Sequence, residues 1–135
     1  MSLQLTPSIQ FVDDILHVDD VPVPDIVAAV GSPVYVYSSH HFQRQYQQLE
    51  DALAAFSGRI CYAVKANSNL AVLRIFEALG AGFDIVSGGE LQRVLAAGAQ
   101  PDRVVFSGVG KSTADIDLAL KLEIGCFNVE SAQEL

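Results

Sequence analysis

The chain has 135 residues, half of them apolar, with 16 acidic and 8 basic side chains and a net charge of −8. That length and composition fit one ordinary domain with a real core and exclude a disordered tail. The acidic balance argues against nucleic acid, whose phosphates need a basic face. No lysine or arginine cluster suits an anionic membrane, no apolar run approaches the length of a span, and no apolar signal segment opens the chain, so a cytoplasmic protein is expected.

In chain order, residues 9–22 alternate loosely and predict one or two extended pieces around an Asp13-Asp14 turn. After Pro22 and Pro24, residues 25–30 predict a short helix closed by Gly31. Residues 34–37, β-branched and aromatic, predict a strand. Ser38 or Ser39 then caps a helix to about Phe56, with Phe42, Tyr46, Leu49, Leu53 and Phe56 on one face.

Beyond Gly58 a strand–helix rhythm sets in, with strands predicted at 60–64, 83–86, 104–106 and 126–129. Helices are predicted at 70–79, 90–97, 113–122 and from Ser131 onward, where Ser131 and Glu134 have the spacing of a capping box. Strand starts recur about every 22 residues, room for one strand, one helix and two short loops. Such alternation implies right-handed crossovers and a parallel sheet, either closed as a barrel or open and doubly wound.

Among candidate functional residues, Lys65 comes first: in Tyr62-Ala63-Val64-Lys65-Ala66-Asn67 it stands where an apolar strand gives way to a polar turn. A lysine amine at such a place can form a Schiff base with a carbonyl compound; the alternative is a solvated strand-end residue. Asp84 interrupts the apolar strand Phe83–Val86. A carboxylate there must face a polar cavity or find a partner, so it either tunes Lys65 or a cofactor or is a structural acceptor. Glu130, at the end of the last strand, is a weaker candidate of the same kind, and Lys111 and Lys121 sit in less suggestive settings.

Other patterns fail on spacing. The run Gly108-Val109-Gly110-Lys111-Ser112 lacks the first glycine of a phosphate-wrapping P-loop, Val105 standing in its place. Gly80-Ala81-Gly82 precedes a strand and Ile85 replaces the third glycine of a dinucleotide fingerprint, which suits a helix C-cap better. Cys61 and Cys126 lie in apolar runs and are expected to be buried, reduced thiols; with no Cys-x-x-Cys or paired histidines, no metal site is expected. His17, His40 and His41 have no matching partners in sequence and are expected at the surface.

The lysine segment, with Gly80-Ala81-Gly82-Phe83-Asp84, Ser87-Gly88-Gly89-Glu90-Leu91, Val105-Phe106-Ser107-Gly108-Val109-Gly110-Lys111 and Phe127-Asn128-Val129-Glu130-Ser131, resembles the diaminopimelate decarboxylase family. That family is the branch of alanine-racemase-type decarboxylases distinct from the ornithine and arginine enzymes, and the resemblance runs from about Phe11 to Leu135. It implies an α/β fold: about the first four units of a (β/α)8 TIM-type barrel over residues 31–135, after an N-terminal extended segment and short helix at residues 1–30 that belong with a β domain. A full barrel needs about 250 residues, so the chain is expected to be the front part of a longer enzyme.

The resemblance further implies pyridoxal 5'-phosphate as cofactor on Lys65, with Asp84 beside it, and decarboxylation of meso-2,6-diaminopimelate to L-lysine by a homodimer. The glycine-rich phosphate loop, the acidic partner of the pyridine nitrogen, the substrate-binding arginine and a C-terminal Cys-Glu-Ser segment of that family have no counterpart in these residues. Alternatives are an inactive fragment, an ornithine- or arginine-type decarboxylase, or a small pyridoxal-carrying barrel protein.

Overall fold

A computed structural model describes residues 6–135, so the first five residues of the N-terminal segment lie outside the described residues. The chain forms two compact units whose boundary falls between residues 49 and 50.

In the first unit, β1 (Ile9–Val12), β2 (Ile15–Val18) and β3 (Val21–Pro22) form an antiparallel sheet in the order β1-β2-β3. Asp13 and Asp14 turn the first hairpin with φ of 48° and 64°, a left-handed conformation that aspartate tolerates better than most residues. Helix α1 (Val23–Val30) has proline in its first turn and stops at Gly31, whose φ of 84° suits glycine.

Residues 34–37 do not form the predicted strand: Val34, Tyr35 and Tyr37 are exposed and pair with no ladder. Their β propensity records a fit to a pleated, half-buried surface, and without a neighbouring strand it has nothing to act on. Helix α2 (Ser39–Leu53) follows. Ser38 caps it by accepting the His41 N–H at 2.9 Å, while its hydroxyl donates to Asp19 at 2.7 Å. His40 also approaches Asp19, at 3.5 Å, and His41 Nδ1 lies 3.1 Å from Arg44. These two histidines therefore have partners, brought together by the turn before α2.

The second unit holds a four-stranded parallel sheet in the order β4-β5-β6-β7: Cys61–Ala63, Gly82–Ile85, Val104–Phe106 and Cys126–Phe127. Helices α3 (Leu70–Ala78), α4 (Gly88–Ala96) and α5 (Thr113–Lys121) connect the strands. The register aligns Tyr62, Phe83 and Val104 across three strands, and Ala63, Asp84 and Val105 one residue on. Successive side chains alternate faces, so the sheet has two different sides. One carries Tyr62, Phe83, Ile85, Val104 and Phe106 toward the helices, as the stacking of Tyr62 on Phe76 of α3 at 4.0 Å shows. Of these, Phe83, Ile85, Val104 and Phe106 are fully buried, with Leu73, Leu91, Val94 and Ala119 from the helices. The other side carries Cys61, Ala63, Asp84, Val105 and Cys126.

That second side corrects the expectation for the cysteines. Both are free thiols, but Cys61 is half-buried and Cys126 exposed, because the alternation turns them away from the helices. Ser131–Leu135 form turns rather than the predicted helix. Four residues after the cap give at most one helical turn, whose nucleation is unfavourable. The Glu134 carboxylate instead accepts the Glu130 N–H at 2.7 Å, one residue before the predicted cap. The same device opens α4, where Ser87 caps and Glu90 accepts the Val86 N–H at 2.8 Å.

Candidate functional site

The C-terminal ends of β4 to β7 form one rim. Directly after β4 the chain tightens into a 3₁₀ turn, Val64–Ala66, that carries Lys65. Val64 is fully buried while Lys65 is exposed, so the turn presents the amine outward from an anchored base. Three contacts fix it. The Tyr62 phenol donates to the Asn67 carbonyl at 3.2 Å, Asn67 Oδ1 accepts the Asn69 N–H at 3.0 Å, and Arg93 of α4 donates to the Ser68 carbonyl at 3.2 Å. Asn69 in turn caps α3 by accepting the Ala71 N–H at 2.8 Å. The asparagines of this segment hold backbone turns. Among the described residues Lys65 has no hydrogen-bond or ion-pair partner.

Asp84 lies beside Ala63 in the parallel register, on the face away from the helices. Its Oδ1 is buried without a hydrogen-bond partner. An unpartnered buried carboxylate oxygen is costly, which fits a residue that meets a ligand or another segment. Its charge reaches Cys61: burial, together with the Asp84 carboxylate, pushes the Cys61 thiol up, against the opposing pull of Arg59. Lys65, on the turn just past β4, and Asp84, on β5, thus stand at neighbouring strands, whose backbones run about 5 Å apart. Glu130 is exposed past the end of β7, two strands from β5 and three from β4, engaged through its backbone N–H with Glu134.

Residues that the sequence did not single out as site candidates complete the rim. Ser107 and Asn128 continue the ladder one residue past β6 and β7, their N–H groups donating to Ile85 and Phe106 carbonyls at 2.8 and 2.9 Å. Their side chains join, Asn128 Nδ2 donating to Ser107 Oγ at 2.9 Å. Lys111, passed over in sequence, has a side chain only 1% exposed and donates to the Gly108 carbonyl at 2.5 Å, the Asn128 carbonyl at 2.8 Å and the Glu134 carboxylate. The signal that could have marked Ser107 and Asn128 is the one that marked Lys65: a polar residue just past an apolar strand of a parallel α/β repeat.

The glycines let these loops close. A Cβ on Gly108 would stand 2.5 Å from the Val86 carbonyl oxygen, and one on Gly125 would stand 2.2 Å from that of Asp102. No helix of the described residues is long and apolar enough to cross a membrane. Nor do the described residues group three His, Cys, Asp or Glu side chains for a metal ion.

Comparison with known proteins assigns the family. A profile of the pyridoxal-dependent decarboxylases, pyridoxal binding domain, matches residues 39–135. The chain is 52% identical over 120 residues to a diaminopimelate decarboxylase of Pseudomonas fluorescens, covering 89% of this chain and 29% of that protein. It is 52% identical over 123 residues to one of Vibrio cholerae, covering 91% of this chain and 30% of the relative. It thus spans about three tenths of the length of these curated relatives. A crystal structure from Aquifex aeolicus superposes with a TM-score of 0.90 at 40% identity, over 96% of this chain and 32% of that one. Diaminopimelate decarboxylase from Helicobacter pylori complexed with L-lysine superposes with a TM-score of 0.79 at 43% identity, over 83% of this chain and 28% of that one. The four parallel strands are accordingly part of a TIM-type barrel with Lys65 on its C-terminal rim, and the chain belongs to the pyridoxal-dependent decarboxylases through their pyridoxal-binding domain.

Proposed function

We propose that these residues are the pyridoxal-binding front part of a decarboxylase that converts meso-2,6-diaminopimelate to L-lysine and CO2. The observation that carries this reading is Lys65: an exposed amine without a partner among the described residues, held on a fixed turn at the C-terminal rim. The orphaned Asp84 oxygen on the adjacent strand fits the same cofactor. The identities near 50% to diaminopimelate decarboxylases favour this substrate over ornithine or arginine.

Lys65 would hold pyridoxal phosphate through its amine, and Asp84 would face the bound group. When bound, the cofactor supplies a conjugated ring that accepts the electron pair left by departing CO2. Lys65 would supply the primary amine that holds the cofactor and, when that amine is free, a base positioned to move protons at the rim. Asp84 would present its carboxylate from the strand next to the turn that carries that amine. Tyr62, Asn67 and Arg93 keep the turn from drifting, so that the amine needs little reorganisation to react. As further proposals, residues 1–30 form the N-terminal segment that pairs with a β domain, residues 31–135 begin the barrel, and the native protein is a cytoplasmic homodimer.

The test is chemical. Pyridoxal phosphate is added to the native protein, borohydride fixes the adduct, and peptide mapping locates the label. Label on Lys65, lost in Lys65→Ala and kept in Lys121→Ala, is expected, with L-lysine formed from meso-2,6-diaminopimelate by the wild type only. Label elsewhere would sink the assignment of Lys65, and turnover of ornithine or arginine instead would sink that of the substrate.

A further inference from the structure

The rim contains a second polar pair, and it is held from behind. Cys126 and Val105 share the face of Asp84. By the same alternation Ser107 and Asn128, two residues further along their strands, fall on that face at its C-terminal end. Ser107 is half-buried and Asn128 exposed. With one amide hydrogen given to Ser107, Asn128 keeps a second N–H donor, and among the described residues nothing accepts it.

Lys111 reaches this pair from the helix side. Its ammonium lies 5.7 Å from the centroid of the Phe106 ring, whose residue faces the helices. All three of its donors are used: on its own loop at Gly108, on the Asn128 backbone, and on Glu134. Taking a lysine out of water is expensive unless its partners are well placed. Here the partners lie on two successive loops of the rim, so the ammonium fixes their spacing. The carbonyl it holds belongs to the residue whose side chain faces the site.

We propose that Lys111 is a positioning residue, and that through it Asn128 is kept at the rim as a hydrogen-bond donor to an anionic oxygen of the ligand attached at Lys65. This rests on the reading of Lys65 given above. Two oxyanions share the chemistry, the cofactor's phosphate and the substrate's carboxylate, and separate measurements tell them apart.

In the native protein, the concentrations for half-maximal labelling of Lys65 by pyridoxal phosphate and by phosphate-free pyridoxal are measured, with the KM for meso-2,6-diaminopimelate. Asn128→Ala is expected to raise one of these roughly tenfold, the worth of about one hydrogen bond, without lowering the melting temperature. An effect on pyridoxal phosphate but not pyridoxal assigns the phosphate; an effect on KM alone assigns the carboxylate. Lys111→Met should show the same change, and the double variant no more than either single one, since residues acting through one contact are not additive. Should Lys111→Met fail to fold, Glu134→Gln, which keeps the ammonium and its two carbonyl partners, takes its place in the cycle with a smaller change. Unchanged constants in Asn128→Ala, or fully additive effects, would overturn the proposal. Absence of Lys65 labelling in the wild type would instead overturn the reading beneath it.

Discussion

Gly88 and Asp115 join two helix starts through one carboxylate. Asp115 Oδ1 accepts the Gly88 N–H at 3.1 Å, while its Oδ2 accepts from the Ser112 hydroxyl at 2.8 Å. Ser112 Oγ accepts the Asp115 N–H at 3.2 Å and Asp115 Oδ2 accepts the Ser112 N–H at 3.3 Å, the two halves of the capping box of α5. A Cβ on residue 88 would stand 2.2 Å from Asp115 Oδ1. The carboxylate can turn away only by giving up its cap. Asp115→Ala is therefore expected to cost about 1–3 kcal/mol, a lost cap plus an unpaired N–H, and Gly88→Ala a comparable amount. Urea denaturation of the native protein measures both; a loss under about 0.5 kcal/mol, the usual scale of surface changes, would mean the bridge is unimportant.

Asp84 offers the opposite case. Because its Oδ1 has no partner to lose, Asp84→Asn should leave folding stability nearly unchanged while altering the rate and pH profile with which pyridoxal phosphate labels Lys65. A large drop in melting temperature with an unaltered labelling profile would make Asp84 a structural acceptor instead.

Glu134 gives the rim an acid-sensitive fastening. The hydrogen bond from Lys111, aided by the Glu130 N–H, holds its carboxyl below the usual carboxylate range. A lowered folded-state value means that the unfolded chain binds the proton more readily. The stabilisation is thus complete above the ordinary carboxylate range and fades as pH falls through the lowered value. Glu134→Gln should flatten that part of the acid limb, followed by thermal melts across the acid range. An unchanged pH dependence would show that the pair adds nothing to the fold.

The two thiols should react in a set order. Cys126 is exposed, whereas Cys61 is half-buried with its thiol pushed up by burial and by Asp84. Since the thiolate is the nucleophile, iodoacetamide at neutral pH should modify Cys126 well before Cys61. Mass spectrometry of timed samples reads the order, and faster modification of Cys61 would contradict the environment described for it.

Periodicity alone determined most of the second unit. The strands at 83–86 and 104–106 and the helices at 70–79 and 113–122 match β5, β6, α3 and α5 to within about a residue, because each buries one face and its apolar spacing records that face. Lys65 and Asp84 stood out as candidates for a related reason: a polar residue at or inside an apolar strand contradicts its surroundings, and such a contradiction nominates a residue for a role. Residues 34–37 misled because strand propensity needs a partner strand that local sequence does not supply. The share of the helix-facing side in Tyr62 and Phe106, and of the opposite side in Cys126, depended on register. Lys111 was invisible for a deeper reason. Its partners at Asn128 and Glu134 lie 17 and 23 residues away in sequence, and the burial that makes its ammonium important exists only once β6 and β7 lie side by side. Sequence thus set which segments have a face to bury, and the tertiary structure decided which charges those faces bring together.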